Sequence, residues 1–164
     1  MTDEEKITNY ETYKHIDVVI RLLVGMQAEI GKRIISHDRS KLADPELQTF
    51  TEFTPKLKDS TYGSEEYKGF LKAMAPALAH HYANNRHHAE FFPNGMRGMT
   101  LIDLLEMIVD WRASTMRHAS GDIMKSIEIN QERFGYSDDI KSLLINTITV
   151  LDRYIEPLES QKEL

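Results

Sequence analysis

Apolar residues recur at intervals of three and four along almost the whole chain, and alternating strand-like patterns are nearly absent. Ile140, Leu143, Leu144, Ile148, Leu151 and Tyr154 are the clearest case, falling on one side of a helix with 3.6 residues per turn. Tyr67, Phe70, Leu71, Met74 and Leu78 make a second stripe, and Leu101, Leu104, Leu105, Ile108 and Trp111 a third. A chain patterned this way buries its apolar faces helix against helix. The expected fold class is all-α, one domain over residues 1–164 built as a bundle of about six to seven helices.

Punctuation divides the pattern. Residues 4–35 read as helix, and His15 shares a stripe with Val19, Leu22 and Met26, so it is expected to face the core. Unbroken helix from His15 to His37 would set them roughly 33 Å apart, whereas a turn near Gly25 returns His37 to the level of His15. The spacing therefore predicts a helical hairpin, with Gly31 as a competing break. Asp44 and Pro45 suit the N-cap and first position of a short helix over 43–53, closed by Thr54-Pro55. Residues 55–63 read as a polar loop, Ser64 restarts a helix, and Pro76 bends it. Thr100 and Asp103 have capping-box spacing. Two last helices, 122–134 and 137–158, meet at Gly135.

Composition removes several functions. Lys and Arg number 20 against 26 Asp and Glu, a net charge of −6, which disfavours duplex nucleic acid as a partner. With no cysteine, disulfides, thiolate nucleophiles and thiolate metal sites are all excluded. The start, M-T-D-E-E-K, lacks the basic and apolar run of a signal peptide, and no apolar stretch approaches the roughly 20 residues of a membrane span. A cytoplasmic protein without a membrane partner is expected.

Residues 79–92, A-H-H-Y-A-N-N-R-H-H-A-E-F-F, hold four of the seven histidines, His80, His81, His87 and His88. Imidazole titrates near neutrality and is the commonest metal ligand, so such a cluster points to metal binding, proton transfer or anion contact; otherwise it is a solvated, His-rich turn. His81 and His88 would lie about 10 Å apart on a regular helix, and can share an ion only if the helix ends between them. Asn84-Asn85 is the natural place, since Asn caps helices and tolerates left-handed backbone. His37-Asp38 could aim an imidazole and a carboxylate at one ion, or simply end a helix. Glu106, Asp110 and Arg117 share a helix face that is either solvated or lines a polar cavity.

In order, His15, His37-Asp38, the histidine cluster and Asp110 resemble the signature of the HD-domain superfamily of metal-dependent phosphohydrolases, all-helical proteins. H-D-R-S-K-L, N-N-R-H-H-A-E-F and E-M-I-V-D-W look closer still to an HD-like family frequent in bacterial and phage genomes, over about residues 10–155. The resemblance implies an HD-like bundle in which His15, His37, Asp38 and Asp110 hold one divalent ion. It implies a second ion on His81 and either His87 or His88. Lys41 stands where many members place a phosphate-reaching lysine, although Ser40 replaces the frequent Gly before it. The short His81–His88 spacing also departs from the usual two-metal members. A sulfur-free set of imidazoles and carboxylates suits Mn, Fe, Co, Ni or Zn, as one or two ions.

The implied function is hydrolysis of a small phosphorylated substrate such as a nucleotide, with Asp38, Lys41 and His87 as catalytic candidates. Lys41, Asn85, Arg86 and Arg117 are candidates for substrate contacts, and His87, where it is not a ligand, for protonating the leaving oxygen. An HD-like di-iron oxygenase and a non-catalytic nucleotide- or protein-binding module are the rival expectations. A homo-oligomer is compatible with all three.

Overall fold

A computed structural model describes residues 1–61, 63–117 and 121–159, the last four of these as backbone only. It is all-α: among the described residues there are seven α-helices, short 3-10 turns and no strand. None of these helices is long and apolar enough to cross a membrane. The chain divides into two units, Met1–His37 and Asp38–Leu164.

The first unit is one helix, α1 (Asp3–Ser36), started by a capping box in which Thr2 accepts from the Glu5 amide and Glu5 from the Thr2 amide. It corrects two expectations. No hairpin forms: Gly25 and Gly31 lie inside continuous helix, so His15 stands roughly 33 Å along the axis from His37, beyond any shared ion. A glycine in a helix interior costs only about 1 kcal/mol against alanine, which thirty-odd helical neighbours outweigh. Nor does His15 face a core, because it is exposed and α1 has no buried residue.

The second unit opens with a 3-10 turn, Arg39–Leu42, followed by α2 (Leu47–Asp59), α3 (Glu65–Ala73) and α4 (Ala75–Asn84). The expected 43–53 helix with an Asp44 cap is also corrected. Asp44-Pro45 is a cis peptide in a turn, and α2 starts at Leu47 and runs through Pro55 to Asp59. Residues 55–59, expected as loop, are therefore helical. Met74 separates α3 from α4 near Pro76, where a bend was expected. Phe53 of α2 and Phe70 of α3 meet with ring centroids 6.0 Å apart.

Helices α5 (Leu101–Met116), α6 (Ile123–Phe134) and α7 (Asp138–Glu159) hold the larger core. Ile108, Ile123, Ile127, Tyr136, Leu144 and Ile148 form it, with Trp111 and Phe134 packed against its edge. The Thr100–Asp103 capping box is present, and Gly135 ends α6 in left-handed backbone, φ 65°. Asp103 is fully buried and bound by the Arg86 guanidinium through Nε at 3.1 Å and Nη2 at 2.9 Å. That pair ties the segment after α4 to the start of α5.

Candidate metal centre

Helix α4 ends where His81 and His88 require it to end. Asn85 leaves the helix in extended backbone, φ −125° and ψ 109°, rather than in the left-handed form expected of an asparagine there. The chain then doubles back so that His81 Nε2 and His88 Nε2 are 2.9 Å apart. Asp38 enters from the other side, on a left-handed residue with φ 56°. Its Oδ1 is 3.2 Å from His81 Nε2 and 3.4 Å from His87 Nε2. A non-glycine residue in this region is strained, and such strain concentrates at functional positions. Asp38, His81, His87 and His88 each thus offer one ligand atom, all within 4.8 Å of one another.

The atoms behind these four fix their chemistry. Glu46, fully buried, faces His81 Nδ1 with Oε2 at 2.9 Å and His80 Nδ1 with Oε1 at 2.7 Å. A carboxylate only accepts, so Nδ1 of His81 carries a proton, and its Nε2 faces the cluster, where it donates to Asp38 or, without its proton, offers a lone pair to an ion. Ser40 donates to the same Glu46 oxygen at 3.0 Å, and Asn85 Nδ2 donates to Ser40 Oγ and to the His81 carbonyl, each at 2.8 Å. His87 Nδ1 lies 3.3 Å from Glu106 Oε1, the same relation on a second helix. Carboxylates behind imidazoles orient metal-binding histidines and raise their basicity.

Charge follows from this packing. Burial works to raise the Asp38 pKa, but hydrogen bonds from His81 and His87 and the adjacent Lys41 hold it well below the usual carboxylate range. For His87, burial works the other way and is outweighed by bonds to Asp38 and Glu106 and by the Asp110 charge, so its pKa is raised. Burial, then the neighbouring His87 and His81, push His88 down to about 3. His88 is therefore neutral near pH 7 and keeps a lone pair to offer. Three imidazole nitrogens and a carboxylate oxygen at these separations repel unless imidazole protons or a metal ion lie between them. A divalent transition ion fits the donor set better than magnesium, which prefers oxygen.

Asp110 acts on both His87 and His88 and lines a cavity of about 360 Å³ that opens beside them. Lys41 is not extended toward that cavity: its Nζ is 2.5 Å from Asp38 Oδ2 and 5.0 Å from the Phe50 ring. Asn85 is buried and bonded to Ser40 and His81, so it positions the site rather than a substrate. Arg86 is engaged by Asp103 and lies over the Phe91 and Phe92 rings. Arg117 is an exposed C-cap of α5. His15 and His37 belong to the first unit, the former in mid-helix and the latter as its C-cap.

Sequence reasoning missed Glu46, whose contacts with His80 and His81 span 34 and 35 residues and leave no local trace. It also missed the cations of the cavity wall, Lys125 and Arg133, which lie there with Trp111 and Asn130. Their helical spacing on α6 was the available signal. Residues 4–152 match the model of a family described as a family of unknown function (DUF5662). No curated protein and no solved structure gives a significant match.

Proposed function

The chain belongs to that family of unknown function, and from its site we propose that it is a metal-dependent hydrolase of a small phosphoester, with nucleotides as the first class to test. The observation that carries the reading is the convergence of Asp38, His81, His87 and His88 on one point, backed by Glu46 and Glu106. The resemblance of H-D-R-S-K-L and N-N-R-H-H-A-E-F to HD-domain phosphohydrolases supports the same chemistry. When bound, a divalent ion there supplies positive charge to a phosphoryl oxygen and acidifies water.

The chain's own residues would do the rest. Asp38 and the three imidazoles hold the ion. Lys125 and Arg133, on the cavity wall, offer positive charge to the phosphate, and Arg133 is kept in place by Glu90 and by Phe134 at 4.7 Å. Asp110 presents a carboxylate on the same wall to accept the proton of the attacking water. Trp111, stacked on Phe134 with 9° between ring planes, gives a planar substrate group an apolar surface. The water oxygen would bond to phosphorus as the P–O ester bond breaks, and the proton taken by Asp110 would pass to the leaving oxygen, yielding phosphate and an alcohol.

Elemental analysis of the purified protein, paired with phosphate release from nucleotides under nitrogen with Mn²⁺ or Co²⁺, tests the proposal. Metal at one or two ions per chain and anaerobic turnover support it, and Asp38→Ala should lose both while keeping its helical circular dichroism. Oxygen-dependent colour in the iron-loaded protein would instead indicate an oxygenase. Saturable nucleotide binding without turnover, unchanged in Asp38→Ala, would indicate a binding module.

A further inference from the structure

Helix α1 is too apolar for the exposure it has. Eight of the eleven residues from Ile16 to Met26 are large and apolar, at 38–67% exposure, and they cover the circumference of the helix except for the strip of Asp17, Arg21 and Gly25. An apolar arc much wider than the roughly 100° stripe of an ordinary surface helix marks a helix covered by another element. Over its whole length thirteen large apolar side chains are 38–76% exposed. Together they present on the order of 1,000 Å² of uncovered surface, against about 300–600 Å² for the largest patch of an ordinary monomer and about 800 Å² per partner in a stable interface.

The pattern says what covers it. Tyr13, Ile16, Ile20, Leu23, Gln27, Ile30 and Ile34 follow steps of three and four without interruption, three heptads with a single polar member. Five of these seven are 43–76% exposed. Such a seam is complementary to another of its own kind, and one polar residue at a seam position sets register at a cost in stability. Charge permits self-pairing: Lys14 is neutralised by Glu11, Arg21 by Asp17 and Lys32 by Glu29, each within one turn. Two identical helices therefore meet without like-charge blocks, and nothing on α1 selects a strongly acidic or basic foreign partner. Symmetric pairing of identical surfaces is also the commonest form of assembly.

We infer that α1 is the homo-oligomerisation element of this protein, joining a second copy of the chain along the Tyr13–Ile34 seam. The inference is independent of the proposed chemistry. Sedimentation velocity of the full chain at tens of micromolar should give at least twice the monomer mass. Ile20→Glu with Leu23→Glu should reduce it to the monomer, while Ala28→Glu, off the seam, leaves it unchanged. Gln27→Ile, which completes the seam and cannot fail by unfolding an exposed helix, should tighten assembly by about tenfold or more. A monomeric wild type, a double Glu variant of wild-type mass, or no change in dissociation for Gln27→Ile would each overturn it.

Discussion

Glu46 shows how one buried carboxylate can define a site it does not enter. Through Oε2 it faces Nδ1 of His81, and through Oε1 it holds His80, so the orientation of His81 Nε2 toward the proposed metal position depends on it. Glu46→Gln keeps the shape and loses the charge, and metal affinity measured against a competing chelator should fall about 10–100-fold. Asp103 does related work for stability. Burial tends to raise its pKa, but bonds from Arg86 and Thr100 lower it below the ordinary value. The sign follows: a depressed carboxylate contributes stability above its unfolded pKa and loses it as pH falls below about 4. Asp103→Asn should cost about 1–2 kcal/mol in urea unfolding near pH 7, allowing for solvent at Arg86, and should flatten the fall in stability below pH 4.

Elements were read well where a cap or a stripe was local. The Thr100–Asp103 box, the end of α4 at Asn84 and the left-handed Gly135 all act within a few residues of themselves. Gly135→Ala forces a Cβ into positive φ and should cost about 1 kcal/mol, read as a lower urea midpoint with unchanged slope. Elements were misread where two local signals competed. Gly25 permits a turn but does not compel one, and the helical neighbours on both sides carry through it. Pro55 reads as a stop, yet α2 continues past it to Asp59, and Asp44-Pro45, which looks like a cap, sits in a cis turn. Gly25 and Pro55 are positions where propensity allows two outcomes differing by only a few kcal/mol, and packing decides.

For the unit that carries the site, folding and metal binding should be linked, since the four ligand atoms converge only in the native state. Saturating the protein with the proposed divalent metal at about 100 times the dissociation constant should add about 2.7 kcal/mol and raise the melting temperature; a chelator should reverse it, and Asp38→Ala should be insensitive to either. Unchanged melting in the wild type would separate the cluster from metal binding. Ile108 and Ile127 of the core lie on α5 and α6, the helices that also carry Asp110, Lys125 and Arg133 of the cavity wall.

By itself the sequence determined the all-α class, most helix limits, and that His81 and His88 could meet only across a break at Asn84-Asn85, because periodicity and capping are properties of neighbours in the chain. The resemblance names Asp38, and His81 with either His87 or His88, as ligands of separate ions; tertiary structure alone decided that all four meet at one point, that Glu46 stands behind His81, and that Arg86 is committed to Asp103. Those contacts join residues 17 to 49 positions apart, and their energies depend on burial and orientation that no local pattern encodes.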